Sequence, residues 1–597
     1  MPLSSYCACL TSSTMNNGAP EQTSDATLHG SQVLNNMELT SLIFAYLKDI
    51  TAQEAGIQFE EDQMPEPPAS WTGLFAGLAR VNRTFFHAST AVLWENLNSL
   101  EPLFGTVLPA DRRGGEENEL FIPLSYFAGI STQRMDRFRL YTKHTKSLRL
   151  SRTTSPEVNT PWVLYLATDN RRTQPLFPSL QRLFLTSNDN LSLLVAFLVA
   201  PTIRFISVDL DEESECEEEE EDESAVALTT LLSERATRLT SATLIHPFTT
   251  QTSSAMFGIK SLTSLNMNII STLVEGTQLE EMKDLTLLEK LRISQNLEDP
   301  ERHSTFPTSV NIQSATSRPA ELDKLRDLHV SADGATQFLV ASKISSRSLT
   351  HLHMEIFPAE PSTQLVVIPH AIAIHALRNT GLTSLVVETE ECSANPDALV
   401  PFRGDARYNV TGSLVLGLSG LQSLTVLKFD QVPFLAVDIM SHLLVAIQTL
   451  PLLEVLWLYP KPMTDWEADE LMAPSLACLK DIARHNRCLE ECLLIIQDFE
   501  VEDAEAVILG GHGQHPPQSA MKRLMVVPLY AEAEDLESVD DMLGLAKYLD
   551  RLFPCLEEVR EYRDGWEEAN LVGVERIILS FQELRNRAME DLADAVV

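Results

Sequence analysis

The chain has 597 residues, 44% of them apolar, which is enough to bury a large core. Its 84 acidic and 45 basic side chains leave a net charge of −39. That balance argues against nucleic acid and anionic membrane surfaces as partners, because both are gripped by Lys and Arg. The longest apolar run, residues 191–200, is about half a membrane span. The first twenty residues lack the basic and apolar regions of a secretory signal. Eight cysteines without framework spacing point to a reducing compartment, cytoplasm or nucleus.

In chain order, residues 1–33 are rich in Ser, Thr, Asn and Gly without periodicity and read as a disordered leader. Residues 34–104 read as a module of three short helices. Leu39, Leu42, Ile43, Tyr46 and Leu47 form one apolar stripe at helical spacing from about Met37. An acidic, proline-rich insertion over 48–70, with Pro65, Pro67 and Pro68, breaks the helical pattern. Helical character returns at Leu74, Phe75, Leu78, Val81, Phe85 and Phe86 and ends near Leu93 and Trp94.

Residues 105–537 repeat the unit L-x-x-L-x-L, with other apolar residues allowed. Copies fall at Leu180/Leu183/Leu185, Ile203/Ile206/Val208, Leu239/Ala242/Leu244, Leu262/Leu265/Met267, Leu288/Leu291/Ile293 and Leu325/Leu328/Val330. They continue at Leu349/Leu352/Met354, Leu382/Leu385/Val387, Leu424/Leu427/Phe429, Leu453/Leu456/Leu458 and Leu489/Cys492/Leu494. A truncated copy at Leu148/Leu150 precedes them, and degenerate ones at Leu524/Val527/Leu529 and Leu556/Val559 follow. Spacings of 23 to 42 residues fit a short strand, a helix and return loops, the signature of an irregular leucine-rich repeat. The fold class is therefore α/β: the alternating pair points inward from a short parallel strand, and stacking neighbours close a core that no repeat closes alone. The Asn that satisfies loop backbone in regular repeats is present only as Asn188 and Asn296. Twelve carboxylates within residues 209–223 predict a solvated, unstructured loop. Residues 538–597 read as a helical cap with an acidic tail.

No phosphate-binding glycine loop, HExxH helix or nucleophile elbow occurs. His512 and His515 lie in a glycine-rich loop without further nearby ligands. His485, Cys488 and Cys492 have ligand-like spacing, but Cys492 fills a repeat core position. The expectation is a non-catalytic protein without metal or cofactor.

Leu34 to Leu47 resembles the first helix of an F-box, and Leu78, Val81, Phe85, Phe86, Leu93 and Trp94 resemble its later landmarks. The stretch, followed by irregular repeats, looks most like F-box proteins of filamentous and mushroom-forming fungi. It departs from them at Leu34-Asn35, where the family has Leu-Pro, and in the 48–70 insertion. The resemblance implies a substrate receptor of a Skp–cullin–F-box ubiquitin ligase. The Skp-family adaptor, and through it a cullin, would be met by Leu34, Leu39, Ile43, Phe44, Leu47, Leu78, Val81, Phe85 and Trp94. A ligase-independent interaction scaffold, with the three helices as an N-terminal cap, is the alternative.

A target protein would bind the concave strand face, where the middle residue of each L-x-L points outward. Arg149, Arg292, His329, His353 and Lys428 make that row cationic despite the overall charge, and Trp457 adds an aromatic anchor. The row predicts recognition of an acidic or phosphorylated segment.

Overall fold

The computed structural model describes residues 36–54, 69–100, 102–103, 132–151, 175–186, 198–209, 218–248, 250–270, 276–296, 319–357, 361–389, 406–432, 439–460, 473–497, 519–528, 539–561 and 571–596. The leader, Leu34, most of the 48–70 insertion, Asn188 and the His512/His515 loop lie outside them. The chain divides into two compact units, 1–269 and 270–597.

Unit 1 opens with three helices, α1 (Met37–Glu54), α2 (Ala69–Leu78) and α3 (Arg83–Leu93). The Asn36 side chain accepts from the Leu39 amide (3.1 Å) at the start of α1. Asn82 caps α3 by accepting from the Phe85 amide (2.8 Å), so two otherwise unpartnered helical N–H groups are satisfied by asparagines. The sequence placed a break at residue 48, but α1 runs on to Glu54. Lys48, Ala52, Gln53 and Glu54 all favour helix, and the first proline comes only at 65.

A sheet of parallel strands follows, in the order β1 (Asn96–Leu97), β2 (Ser147–Ser151), β3 (Arg182–Thr186), β4 (Phe205–Val208), β5 (Ser241–Phe248) and β6 (Ser264–Ile270). Helices α4 (Thr132–Thr142), α5 (Glu218–Arg235) and α6 (Thr250–Phe257) precede β2, β5 and β6. Because Leu97 pairs with Leu148, the strand array starts inside the 34–104 module rather than after it. The acidic tract also differs from expectation, since residues 218–223 form the first turns of α5. Carboxylates favour a helix N-terminus, where the backbone dipole offsets their repulsion.

Unit 2 continues the same construction. After α7 (Gly276–Glu281), parallel strands run in the order β7 (Lys290–Asn296), β9 (Asp327–Ala332), β11 (His351–Ile356), β12 (Ser384–Thr389), β13 (Val426–Val432), β14 (Val455–Pro460), β15 (Glu491–Ile496), β16 (Arg523–Pro528) and β17 (Glu558–Glu561). Helices α8 (Gly334–Lys343), α9 (Pro361–Arg378), α10 (Ala406–Ser419), α11 (Ile439–Ile447) and α12 (Cys478–His485) fall between successive strands from β9 to β15. A separate parallel pair joins β8 (Ala320–Glu321) to β10 (Ile344–Ser345). The region after 538 is not helical throughout: α13 (Val539–Leu552) leads into strand β17, and only then comes α14 (Val572–Val596).

Sequence copies and strands coincide. The first Leu or Ile of each full copy, from Leu180 to Leu489, is at most 2% exposed, and the alternating pair behind it is buried in every strand. Burial of that many branched side chains at roughly 1.5–3 kcal/mol each drives the stacking. One copy lies three residues earlier than the spacing predicts. Leu524 pairs with Cys492 and Val526 with Leu494, so the last full copy is Met521/Leu524/Val526.

Threonine replaces the missing asparagine at the entrance to the strands. Thr240 and Thr263 in unit 1, and Thr350, Thr383 and Thr425 in unit 2, each donate a hydroxyl to the carbonyl one strand back, over 3.0–3.1 Å. The same carbonyls each accept two amide N–H groups from the next strand; the Thr350 carbonyl, for instance, takes those of Thr383 and Ser384. These ladders satisfy backbone groups that would otherwise be costly to bury.

Candidate functional site

Helix α1 has two apolar faces. Leu39, Leu42, Ile43 and Tyr46 share one side at i, i+3, i+4 and i+7, and they are 37%, 67%, 39% and 66% exposed. The other side carries Thr40, Phe44, Leu47 and Lys48 toward the core. The Phe44 ring meets Phe75 at 5.7 Å and the edge of Phe85 at 5.2 Å, with Leu47, Leu78, Val92 and Leu93 packed around. Of the stripe Leu39, Leu42, Ile43, Tyr46 and Leu47, the first four are exposed and only Leu47 turns into the small core. Leu74 on α2 and Val81 in the following turn are also exposed.

This arrangement sorts the nine positions named from the resemblance. Leu39, Ile43 and Val81 are exposed; Phe44 and Trp94 are buried and cannot meet a partner; Leu47, Leu78 and Phe85 are half-buried in the same small core. Leu34 is outside the described residues. Met37, Leu42, Tyr46 and Leu74 were missed as surface positions, although the helical spacing of Leu42 and Tyr46 already placed them beside Leu39 and Ile43.

Trp94 is buried because it fills the first-Leu position of the β1 repeat, three residues before Leu97, where it stacks on Tyr141 at 4.3 Å. Next to it, the Glu95 carboxylate lies between Lys48 Nζ (2.6 Å) and Lys146 Nζ (3.0 Å). Burial pushes its pKa up, but the two ammonium groups outweigh burial and hold it below the usual carboxylate range.

The second surface is the unpacked face of the unit 2 sheet. Register places Arg292, His329, His353, Val386, Lys428 and Trp457 in one row across β7, β9, β11, β12, β13 and β14. The His329 and His353 rings stack at 4.2 Å. Their Nε2 atoms face Glu355 (3.6 Å) and Glu388 (3.3 Å) respectively. Burial, then the neighbouring His353 and Arg292, push the His329 pKa down to about 4, so it is neutral at physiological pH and adds no positive charge to the row. Glu355 is raised by burial but lowered more by the Ser331 hydroxyl (2.6 Å) and the two histidines, and it stays ionised. Lys428 Nζ sits 3.7 Å from the centre of the Trp457 ring, a cation–π contact. The indole N–H donates to Glu491 (2.6 Å), which fixes the ring. On β15 the row holds Leu493, which is 1% exposed despite its outward register, and it continues through Met525 to Arg560. Arg149 belongs to unit 1, where its guanidinium lies over Phe184 at 5.7 Å, and Phe184 is itself buried against Phe205.

Cys492 occupies an inward strand position opposite Leu456 and Leu524, while Cys488 is exposed and the His485 ring contacts the Asp481 carbonyl. Among the described residues no three His, Cys, Asp or Glu side chains form a group that could hold a metal ion, and no helix is long and apolar enough to cross a membrane.

No family model matches the chain, and no curated protein matches it. Among solved structures it is similar to the leucine-rich repeat-containing protein LegL7 from Legionella pneumophila, at 9% identity, with 67% of this chain and 96% of that chain covered and a TM-score of 0.26. The repeat architecture stands on the strand register and burial described above, and a leucine-rich-repeat-like α/β fold suits a protein-interaction role.

Proposed function

We propose that the protein is a non-catalytic substrate-recognition subunit of a Skp–cullin–F-box ubiquitin ligase. Its first helices bind the Skp-family adaptor, and its strand face holds a target protein. The observation that carries this reading is the exposed row Leu39, Leu42, Ile43 and Tyr46 on a helix already anchored by its opposite face through Phe44. A helix with one side packed and one apolar side open is a surface for a partner's groove or helix. Target ubiquitination would then come from proximity: a held segment near a ubiquitin-charged enzyme gains effective concentration, and this chain needs no nucleophile of its own.

The test is co-purification of the full chain with a Skp-family adaptor, beside Leu42→Asp/Ile43→Asp. Wild-type capture that the double variant loses, with an unchanged melting curve, supports the reading. Absence of capture by either protein overturns it. A scaffold without a ligase role is then the better description. One observation favours that second reading: Trp94 on Tyr141 and the Lys48–Glu95–Lys146 cluster tie the three helices to the first strands as a cap would be tied.

A further inference from the structure

One sector of the unit 2 helix layer differs in charge from the rest of the chain. Asp and Glu supply 84 of the 597 residues, yet α9, α10 and α11 carry none across 18, 14 and 9 residues. Helix α8 also lacks them, but its side chains are almost all buried, whereas α7, α12, α13 and α14 all carry carboxylates. The three helices lie side by side, α9 on α10 and α10 on α11. Gly417 keeps the first contact close: a Cβ there would stand 3.1 Å from the Ala376 Cβ and 3.3 Å from the Ala373 carbonyl oxygen. At the second, the Gln422 amide donates to the Ser419 and Thr449 carbonyls (2.9 and 3.1 Å) and ties the ends of α10 and α11 together. Around these contacts Leu377, Leu416, Val445 and Leu452 are 52%, 67%, 59% and 48% exposed. Leu416 and Val445 hold equivalent places in their repeats, each the same distance before the first leucine of the next copy, Leu424 or Leu453. Arg378, beside Leu377, is tied to the Ala341 and Ser342 carbonyls (2.9 and 3.0 Å). Single exposed apolar residues are ordinary, but four on adjoining, carboxylate-free helices form a patch.

We infer that this sector is an interface between two copies of the chain, paired about a two-fold axis so that the Leu377, Leu416, Val445 and Leu452 patch of one copy lies on that of the other. Such a contact must be self-complementary, which apolar side chains satisfy and like charges do not. The net charge of −39 selects the same surface. Two such chains repel each other, and the repulsion is least where neither brings a carboxylate to the contact. Helices of these lengths, packed about 8–10 Å apart, offer roughly 500 Å² per copy. That is small for a specific interface, so the dimer is weak, in the micromolar range. The inference does not depend on the ligase reading, since α1 takes no part in it.

The experiment is analytical ultracentrifugation of the full-length chain from about 1 to about 100 μM, in about 0.1 M and about 0.5 M salt. The expected outcome is a monomer–dimer equilibrium that tightens several-fold in high salt, because ions screen the repulsion between the copies. Leu416→Asp/Val445→Asp should weaken the dimer by about tenfold or more without loss of folding, since both side chains are exposed. Leu416→Lys/Val445→Lys should do the same alone. Mixing the two variants should restore a dimer, a gain that misfolding cannot mimic. Leu42→Asp/Ile43→Asp on α1 should leave the equilibrium unchanged. A wild type that is monomeric throughout overturns the inference and leaves the sector to a different protein. So does a dimer that loosens in high salt, one that both patch variants leave intact, or one that the α1 variant abolishes. Patch variants that stay apart when mixed overturn it as well.

Discussion

The N-terminal helices and the strand array use apolar residues in opposite ways. In the array, the marked apolar residues of the copies from Leu180 to Leu494 are all buried, because a parallel strand backed by helices has one inward face and no alternative place for them. In α1, four of the five stripe residues are exposed, and the helix is held by a sparser face of Thr40, Phe44, Leu47 and Lys48. Repetition makes the difference. Each repeat must match its neighbours, so stacking enforces a single pattern on all copies. A small three-helix module answers to no such constraint and can present a second apolar side to a partner.

Substitutions should expose this contrast. The largest effect belongs to the array: Phe429→Ala, fully buried in β13, should cost about 4 kcal/mol in urea unfolding. Phe44→Ala should cost about 3 kcal/mol, because that ring holds α1 on Phe75 and Phe85. An equal loss of stability from Leu42→Ala would contradict the two-faced reading of the helix.

A pH titration sharpens the comparison from the array side. His375 on α9 is fully buried with neither ring nitrogen hydrogen-bonded, and burial, aided by Arg378, pushes its pKa down to about 3. In the unfolded chain it titrates near 6.5, so between those values the unfolded state holds the extra proton. Stability should be complete above pH 6.5 and fall by roughly 1.4 kcal/mol per pH unit below it. His329, depressed to about 4, adds to the slope. The measurement is the urea midpoint from pH 7.5 to 4.5, and His375→Leu should flatten its decline.

Thr383→Val should cost about 1 kcal/mol, the net value of its ladder hydrogen bond to Thr350. The smallest effect is expected at the exposed helix face, where Leu42→Asp/Ile43→Asp should change stability by no more than about 0.5 kcal/mol in the same unfolding assay. Adaptor capture should nevertheless disappear, and that separation of stability from binding is the sharpest form of the contrast.

The strands from Leu180 to Leu489 were legible because the L-x-x-L-x-L spacing is a direct image of strand geometry. The first strand was not, since Trp94 stands in for a leucine and its copy has only one further core residue, Leu97. At Leu524 the run of apolar residues from Leu524 to Val527 allows two registers, and only pairing with Cys492 selects one. The threonine ladders have no counterpart in the repeat signature, whose asparagine follows the strand, whereas these hydroxyls work before it. On the unpacked face, the middle row could be read from the L-x-L alignment, but not the side-chain pairings that lower the His329 pKa and turn Lys428 onto Trp457.

The ladder at the strand entrances also bears on how such a chain changes length. Thr350, Thr383 and Thr425 each donate a hydroxyl to the strand before and offer a carbonyl to the strand after. The junction between any two of these units is chemically the same junction. A whole unit can then be gained or lost by duplication or deletion without redesigning the units on either side, and the width of the unpacked face becomes a quantity that copying errors can adjust in steps of one strand.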